Sequence, residues 1–354
     1  MGIKSIEIQN FKSIKNSGEI KLKDINVLIG ANGSGKSNFI EFFEMLKNIS
    51  NKQLQRYIET KGGADSILHF GKKNSDYLFG VILFDNEYQN EYKFKLIFND
   101  NDNLIFDEEE SNTKESPFRT LNTGHKETIL INNGVFRNKY LLEYFNSFRI
   151  YHFNDTSFTS KMKSTCNLMD YPYLYEDGRN LVSILYRFFD QYPKNFEIFE
   201  YTIKSVAPFF EKFYLVPNEF NKEKIILKWI EKGQTFFSSS LSDGTLRFIC
   251  LATILLFPEK PETIILDEPE LGLHPFAIEK LAAMIRVASK NSQIIISTQS
   301  VDLINQFSTD DIIVVKRENN ETRFKRQSEE ELKNWLEDYS IGEIWRSNII
   351  GGNP

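Results

Sequence analysis

The chain has 354 residues, of which 41% are hydrophobic and 26% charged, the balance of a globular protein with one large or two modest cores. Its formal net charge of −6 does not favour DNA binding, no apolar run is long enough to span a bilayer, and the amino-terminal residues lack a signal-peptide pattern. Only two cysteines, Cys166 and Cys250, are present and they lie far apart, which excludes a disulfide framework or a zinc cluster and predicts a cytoplasmic protein.

The first informative stretch is residues 25–37, reading INVLIGANGSGKS, which completes the phosphate-loop pattern G-x-x-x-x-G-K-[ST]. Residues 3–8 and 19–22 predict two strands of an antiparallel layer before it. A buried strand over 26–29 and a helix over 38–46 flank the loop, which argues against a chance glycine turn. Lys12, between the early strands, either approaches the bound nucleotide or is an ordinary surface lysine.

This pattern predicts a site for ATP and Mg²⁺. Glycines let backbone N–H groups turn towards the β-phosphate, and the following helix adds its positive end. Lys36 would reach the β- and γ-phosphates, and the Ser37 hydroxyl would hold Mg²⁺. The predicted nucleotide-binding residues of the loop are Gly30, Asn32, Gly33, Ser34, Gly35, Lys36, Ser37 and Asn38.

The middle of the chain predicts a β meander and then helices. Residues 77–84, 91–98 and 103–106 are strand-like, and the acidic run after them reads as an exposed loop. A strand over 148–153 ends in Asn154 and Asp155, which either contact Mg²⁺ or orient water, or only form a cap or turn.

Two Phe-rich segments, 180–191 and 195–210, have helical spacing and predict a helical subdomain whose Phe side chains serve packing. A small sheet should follow them, built from residues 213–216, 224–230 and 235–237. The basic residues around Lys161 and Lys163 are expected to be solvated surface.

The stretch LSDGTLR, residues 241–247, leads into a predicted helix over 248–256. Ser242 and Gly244 at its start form an anion-binding geometry or an ordinary helix cap. Residues 263–266 then form a buried strand that ends in Asp267 and Glu268, the Walker B form. Asp267 would bind Mg²⁺ through water next to Ser37, and Glu268 would act as the general base.

After this strand, the chain alternates helix and strand. A helix over 276–289, a strand over 293–297 and a strand over 311–315 predict a parallel sheet with right-handed crossovers. Gln299 follows the second of these strands and would face the γ-phosphate. A helix over 328–336 and a tail over 342–354 complete the chain.

Four motifs in fixed order, GANGSGKS, LSDGTLR, TIILDEPELGLHP and IIISTQS, resemble the ABC-type ATPase heads of the SMC and RecF branch. The HFNDTS stretch and the GEIW…GG-x-P tail are similar to the compact ATPases allied to the overcoming-lysogenization-defect ATPases of phage-defence loci. The resemblance implies an α/β fold: a P-loop NTPase head with a mixed sheet, an antiparallel β layer and an inserted helical subdomain.

The implied organisation is a single ATPase domain whose parts are 1–155, 156–240, 241–316 and 317–354. The resemblance further implies a homodimer with two ATPs sandwiched between subunits. Ser242 and Gly244 would contact the γ-phosphate held by the other subunit, His274 would cross the dimer interface, and Asp155 would occupy the place of the glutamine loop.

One departure concerns the switch position, where Gln299 replaces the histidine of ABC transporters. Because a glutamine carries no proton charge near neutral pH, turnover is expected to be slow, with ATP acting as a clamp.

The leading functional hypothesis is an ATP-gated homodimeric switch in phage or foreign-DNA defence that acts with a separate, nuclease-like effector. The sequence has no heptad repeat, so a long coiled-coil arm is not expected. The short stretch after the last strand leaves no room for a fused nuclease domain. A RecF-like repair ATPase that binds DNA directly is the alternative, which the acidic charge disfavours. A transporter subunit with a membrane partner is disfavoured by the GLHP loop and by Gln299.

Overall fold

The computed structural model describes residues 2–113, 116–120, 123–130, 136–153, 155–157 and 159–352. The fold divides into two compact units. The first comprises Met1–Ile150, Pro261–Asp267 and Asn291–Pro354, and the second comprises Tyr151–Lys260 and Glu268–Lys290.

The amino-terminal elements build most of the first unit. They are β1 (Gly2–Phe11), β2 (Ile14–Asn16), β3 (Ile20–Lys21), β4 (Ile25–Ile29), α1 (Lys36–Ser50), α2 (Leu54–Thr60), α3 (Ala64–Ile67), β5 (Tyr77–Asp85), β6 (Glu91–Phe98), β7 (Leu104–Thr113), β8 (Ser116–Thr120), α4 (Phe136–Ser147) and β9 (Arg149–Tyr151).

The middle elements belong to the second unit, and most of the later ones return to the first. The middle elements are β10 (Cys166–Asn167), α5 (Leu181–Gln191), α6 (Pro193–Val206), β11 (Lys212–Phe213), β12 (Lys224–Ile225), β13 (Lys228–Glu231), β14 (Gln234–Phe237) and α7 (Asp243–Leu256). The later ones are β15 (Thr263–Asp267), α8 (Pro275–Ala288), β16 (Gln293–Thr298), α9 (Val301–Ile304), β17 (Ile312–Glu318), β18 (Glu321–Arg326), α10 (Glu329–Leu336) and α11 (Ile341–Arg346).

A six-stranded sheet in the order β18-β17-β4-β16-β15-β9 carries the phosphate-loop strand near its centre. The pairs β15/β16, β16/β4 and β17/β4 are parallel, and β18 runs antiparallel to β17. Val27, Leu28 and Ile29 of β4 are fully buried, as expected for a strand covered on both faces. The predicted parallel sheet is confirmed.

Helix α1, which follows the phosphate loop, buries a broad apolar face, while its glutamate side chains stay partly exposed on the opposite face. The Phe42 ring packs against Phe11 of β1 and Phe94 of β6, with ring centroids 5.5 and 6.2 Å apart. On the other side, Phe39 contacts Phe324 of β18 at 5.3 Å. These aromatic contacts fix α1, and with it the carboxyl end of the phosphate loop.

The antiparallel layer has the strand order β2-β1-β5-β6-β7-β8, with β3 paired to β1. It confirms the predicted meander, but the prediction of an exposed acidic loop is wrong, because β7 continues through the acidic residues to Thr113. Glu109 is fully buried, and its carboxylate accepts hydrogen bonds from four donors. These donors are the Tyr92 hydroxyl, His125 Nε2, the Thr128 hydroxyl and the Ile129 backbone N–H.

Replacing Glu109 with alanine should lower the free energy of unfolding by about 3 kcal/mol or more, because it removes the acceptor of several buried donors, among them the Tyr92 hydroxyl and the Ile129 N–H. Urea denaturation followed by circular dichroism measures the loss. Glu108→Ala is the matched control, since the Glu108 side chain is 42% exposed and its ion pair with Lys93 lies at the surface. Equal stabilities of the two variants would contradict the buried role of Glu109.

The second unit contains the predicted helical subdomain. Phe188 of α5 packs against Phe196 and Phe199 of α6, all buried, which confirms a packing role for the Phe-rich pattern. The predicted small sheet forms from β11, β13 and β14, but the segment 224–230 is two strands rather than one, since β12 pairs with β10. Among the described residues, no helix has the length and hydropathy needed to cross a membrane.

Candidate nucleotide site

The phosphate loop connects β4 to α1 in the first unit, in the predicted strand–loop–helix order. Gly33 and Gly35 both have left-handed backbone conformations, with φ of 76° and 112°. A Cβ on Gly35 would lie 2.1 Å from Thr322 Oγ1, so only glycine fits there. The loop is followed directly by a 15-residue helix, whose first N–H groups have no partners within the helix.

The Lys36 ammonium group lies inside the loop. Its Nζ donates hydrogen bonds to the carbonyl oxygens of Gly30 at 2.5 Å and Ala31 at 3.0 Å, and the residue is only 5% exposed. The buried Ser34 hydroxyl has no hydrogen-bond partner among the described residues. A cation and an unused hydroxyl within one glycine loop suit a polyanion such as a triphosphate.

The strand register brings the other predicted catalytic side chains of this unit to the same sheet edge. Asp267 at the end of β15 is opposite Ser297 of β16, and Ser297 is opposite Leu28 of β4. With strands about 4.8 Å apart, Asp267 therefore lies roughly 10 Å from β4. Gln299, just beyond β16, donates from Nε2 to the Asn32 side-chain oxygen of the loop at 2.7 Å.

These residues fit a magnesium nucleotide better than a metal held by protein alone. Within the described ranges, no group of three or more His, Cys, Asp or Glu side chains could hold a metal ion. Ser37 is exposed at the start of α1, and Asp267 is partly exposed at the adjacent strand end. One hydroxyl and one carboxylate leave several coordination positions for phosphate oxygens and water, which is the usual arrangement for Mg²⁺.

A hydrogen-bonded support beneath the loop was not predicted from the sequence. The Thr322 hydroxyl on β18 donates to the Ser34 carbonyl oxygen at 2.9 Å and lies 2.7 Å from the Ser13 hydroxyl. Ser13 in turn accepts from the Asn38 side-chain amide at 2.6 Å. Asn38 thus faces this support, while its predicted contact with nucleotide stays a prediction.

Lys12 is not an ordinary surface lysine, because its ammonium group pairs with Glu41 of α1. Lys61 also contacts Glu41, at 2.9 Å. Burial opposes ionisation of Glu41, but hydrogen bonds from the two lysines outweigh it and hold the pKa of this carboxyl below its ordinary value. A cavity of about 450 Å³ beside this cluster is lined by Lys12, Ser13, Asp65, Ser66, Leu68, Phe70, Gly71 and Arg317.

In the second unit, the LSDGTLR stretch forms the start of α7, five residues earlier than predicted, at Asp243. Ser242 caps the helix: its hydroxyl accepts from the Thr245 N–H at 3.2 Å. Gly244 is required for close approach, because a Cβ there would lie 2.5 Å from the Gly272 carbonyl oxygen. The capping role of Ser242 is observed, and its contact with a nucleotide stays a prediction.

Arg247, also missed by the sequence analysis, connects helix α7 to two loops of the second unit. Its Nε donates to the Phe153 carbonyl oxygen at 2.7 Å, and its guanidinium also donates to the Leu271 carbonyl oxygen. Burial lowers the pKa of this guanidinium, although Asp243 opposes the effect. The sequence feature that could have identified Arg247 is its position as a single arginine at the start of an otherwise apolar helix.

The remaining predicted residues lie on the loops joined by Arg247. Glu268 has a left-handed backbone with φ of 46° directly after Asp267, an uncommon conformation for a non-glycine residue. His274 caps α8, with Nδ1 accepting from the Phe276 N–H at 3.2 Å. Leu271 and Phe276 on either side are 47% and 43% exposed.

The Asp155 carboxylate is exposed and accepts from the N–H and hydroxyl of Ser157, at 3.1 and 2.6 Å. These hydrogen bonds lower the pKa of Asp155 and form a turn, which was one of the two roles predicted for this residue. Lys163, expected to be solvated, is instead held by the Thr156 carbonyl oxygen at 2.7 Å. Asn154 lies outside the described residues.

Comparisons with known proteins agree with this fold. The family model AAA_21, described as "AAA domain, putative AbiEii toxin, Type IV TA system", matches residues 25–305. A search of curated protein sequences gave no match.

Two solved structures are similar along nearly the whole chain. One is an SMC head bound to the C-winged helix domain of ScpA, with 16% identity and a TM-score of 0.63, covering 94% of this chain and 100% of that one. The other is the Pyrococcus furiosus Smc head with an extended coiled coil bound to the C-terminal domain of ScpA, with 15% identity and a TM-score of 0.58, covering 95% and 99%. The predicted fold class, an ATPase head of the SMC type, is confirmed.

Proposed function

Because this chain belongs to the AAA_21 family and is an AAA-type ATPase related to SMC heads, we propose that it binds and slowly hydrolyses Mg-ATP between two copies of itself. The observation that carries the proposal is the position of Lys36. Its ammonium group lies within a glycine loop, at the sheet edge that also presents Asp267 and Gln299.

In the proposed mechanism, the loop N–H groups and Lys36 bind the β- and γ-phosphates, and Ser37 and Asp267 hold the metal. Bound Mg²⁺ supplies charge neutralisation between these phosphates. Glu268 orients the attacking water and accepts its proton, and Gln299 donates a hydrogen bond towards the γ-phosphate. Gln299 stays neutral near pH 7, which supports slow turnover and a clamping use of ATP.

The exposed surface of the second unit supports the homodimer. The start of α7 with Ser242 and Gly244 is joined through Arg247 to the loop 271–276, which exposes Leu271, His274 and Phe276. An exposed helix start beside exposed apolar side chains suits the γ-phosphate and the surface of a second subunit. In this proposal, Asp155 occupies the place of the glutamine loop.

Ser242→Arg should leave ATP binding by the monomer within about twofold of wild type but abolish ATP-dependent dimerisation, because a long cation replaces a small cap that faces the partner's phosphate. Light scattering after size-exclusion chromatography, with and without Mg-ATP, measures the dimer. Ser239→Arg, three positions upstream and also exposed, is the matched control. A Ser242→Arg protein that dimerises normally would contradict the sandwich arrangement.

We further propose that the ATP-bound dimer gates a separate, nuclease-like effector in defence against phage or foreign DNA. The family description, which names a putative toxin of a type IV toxin–antitoxin system, supports a role in such a defence system. The two similar SMC heads each bind ScpA, which supports partner binding by heads of this fold in general. Co-purification of the effector with the Glu268→Gln variant, whose ATP-bound dimer is expected to persist, tests this proposal.

A further inference from the structure

The phosphate loop is anchored by residues far away in the sequence. The Thr322 hydroxyl, which holds the Ser34 carbonyl oxygen, comes 288 positions later in the chain. Thr322 is fully buried, and its N–H also donates to the Ser13 carbonyl oxygen at 2.8 Å. Neither its bonds nor its position belongs to a nucleotide-binding motif.

A second anchor holds the start of the loop. The Ala31 N–H donates to the Gly352 carbonyl oxygen at 2.6 Å. Gly352 has φ of +86°, and a Cβ on it would lie 2.9 Å from Val314 Cγ1 and 3.6 Å from the Gly30 Cα. Only glycine therefore lets this segment approach the loop closely in its observed conformation.

The segment that contains Gly352, residues 341–352, also contacts the helix that follows Gln299. Helix α11, which precedes Gly352, docks on α9: the Gly342 N–H donates to Asn305 Oδ1 at 2.8 Å. Helix α9 begins directly after Gln299 and Ser300, and Gln299 bonds the Asn32 side chain of the loop. The segment 341–352 thus contacts both the phosphate loop and the helix that follows Gln299, the residue predicted to face the γ-phosphate.

We propose that Thr322 and Gly352 are positioning residues for the nucleotide, and this inference rests on the proposed binding of ATP. A loop containing three glycines has many accessible conformations, and ordering it on binding would weaken affinity. Two hydrogen bonds to Ala31 and Ser34 fix the loop from outside, so its inward N–H groups are arranged before the nucleotide arrives. Neither residue touches the nucleotide.

The first arm of the test compares two substitutions of Thr322. Thr322→Val removes the hydroxyl but keeps the volume, and the dissociation constant for a fluorescent N-methylanthraniloyl-ATP with Mg²⁺ should rise about tenfold, the value of one hydrogen bond. Thr322→Ser keeps the hydroxyl and should restore the affinity to within about twofold. For both, kcat at saturating ATP should stay near wild type, because Glu268 is untouched.

The second arm compares Gly352→Ala with its neighbour Gly351→Ala. Both glycines have left-handed backbones, with φ of +86° and +77°, so both variants carry the same kind of local strain. A Cβ on Gly351 meets only Lys316 Cδ at 3.6 Å, an ordinary contact. We expect both variants to fold, with the dissociation constant raised about tenfold only in Gly352→Ala.

The outcomes separate this inference from the proposed function. Equal affinities of Gly352→Ala and Gly351→Ala, or of Thr322→Val and wild type, would overturn the positioning roles while ATP binding still stands. A wild-type protein that binds no nucleotide would overturn both. If Gly352→Ala does not fold, the Thr322 pair decides the question alone.

Discussion

Lys36→Ala is expected to abolish nucleotide binding at micromolar protein concentrations. The Lys36 ammonium group is almost completely enclosed by the loop and bonded to the Gly30 and Ala31 carbonyl oxygens. It would exchange these bonds for charge-assisted bonds to the phosphates, each contributing roughly 1.5–3 kcal/mol. Losing two of them weakens binding by at least about 100-fold, at about 1.4 kcal/mol per tenfold.

Isothermal titration calorimetry with Mg-ATP measures this loss. Lys47→Ala is a suitable control, because Lys47 lies in the last turn of the same helix, far from the loop. The control should bind ATP like wild type, and both variants should keep the wild-type circular dichroism spectrum. Wild-type affinity in Lys36→Ala would contradict the assignment of this loop as the ATP site.

Glu268→Gln should keep ATP binding within about threefold while lowering kcat by roughly 10²–10⁴-fold, the usual contribution of a general base. Glutamine has the same size and also accepts hydrogen bonds, but it takes no proton from water. The side chain follows the buried strand β15 in a left-handed backbone, a conformation held by its surroundings rather than by local preference. Strained positions of this kind are common at functional sites.

Steady-state phosphate release measures turnover, and light scattering measures the ATP-bound dimer, which should persist in this variant. Glu262→Gln is the matched control, since this exposed glutamate lies just before the opposite end of the same strand. Normal hydrolysis by Glu268→Gln would show that another group is the base.

The persistent dimer of Glu268→Gln is also the best reagent for finding a partner in the native host. A small co-purifying protein with nuclease-like acidic residues would support effector gating. Co-purifying DNA without such a protein would favour a RecF-like repair function. A homodimer alone would indicate that the partner is present only during infection.

The sequence was sufficient for those parts of the site that are contiguous in the chain. The phosphate loop is recognisable because β4, the glycines and α1 follow one another, and Asp267 because a buried strand directly precedes it. Both signals are local patterns of polarity and conformation. The parallel sheet followed from the same alternation of strands and helices.

The parts that were missed depend on contacts between distant segments. Glu109 was expected in an exposed loop because acidic residues are usually solvated, but its environment is set by Tyr92 and by three donors beyond β7. Thr322 has no distinctive local signal, since a threonine in a strand is ordinary. Gly352 belongs to the GG-x-P tail, but nothing in that pattern indicates a contact with the phosphate loop. Their proposed roles depend on the sheet, which places β17 next to β4 and β18 next to β17.

The distance along the chain between the loop and its anchors has a consequence during protein synthesis. A ribosome adds about 5–20 residues per second, so roughly 15–60 s separate translation of Ser34 from that of Thr322, 288 positions later. Throughout that interval, the nascent polypeptide contains the complete loop sequence without its anchors. We therefore expect ATP affinity to develop late in translation, so that unfinished chains compete poorly for nucleotide.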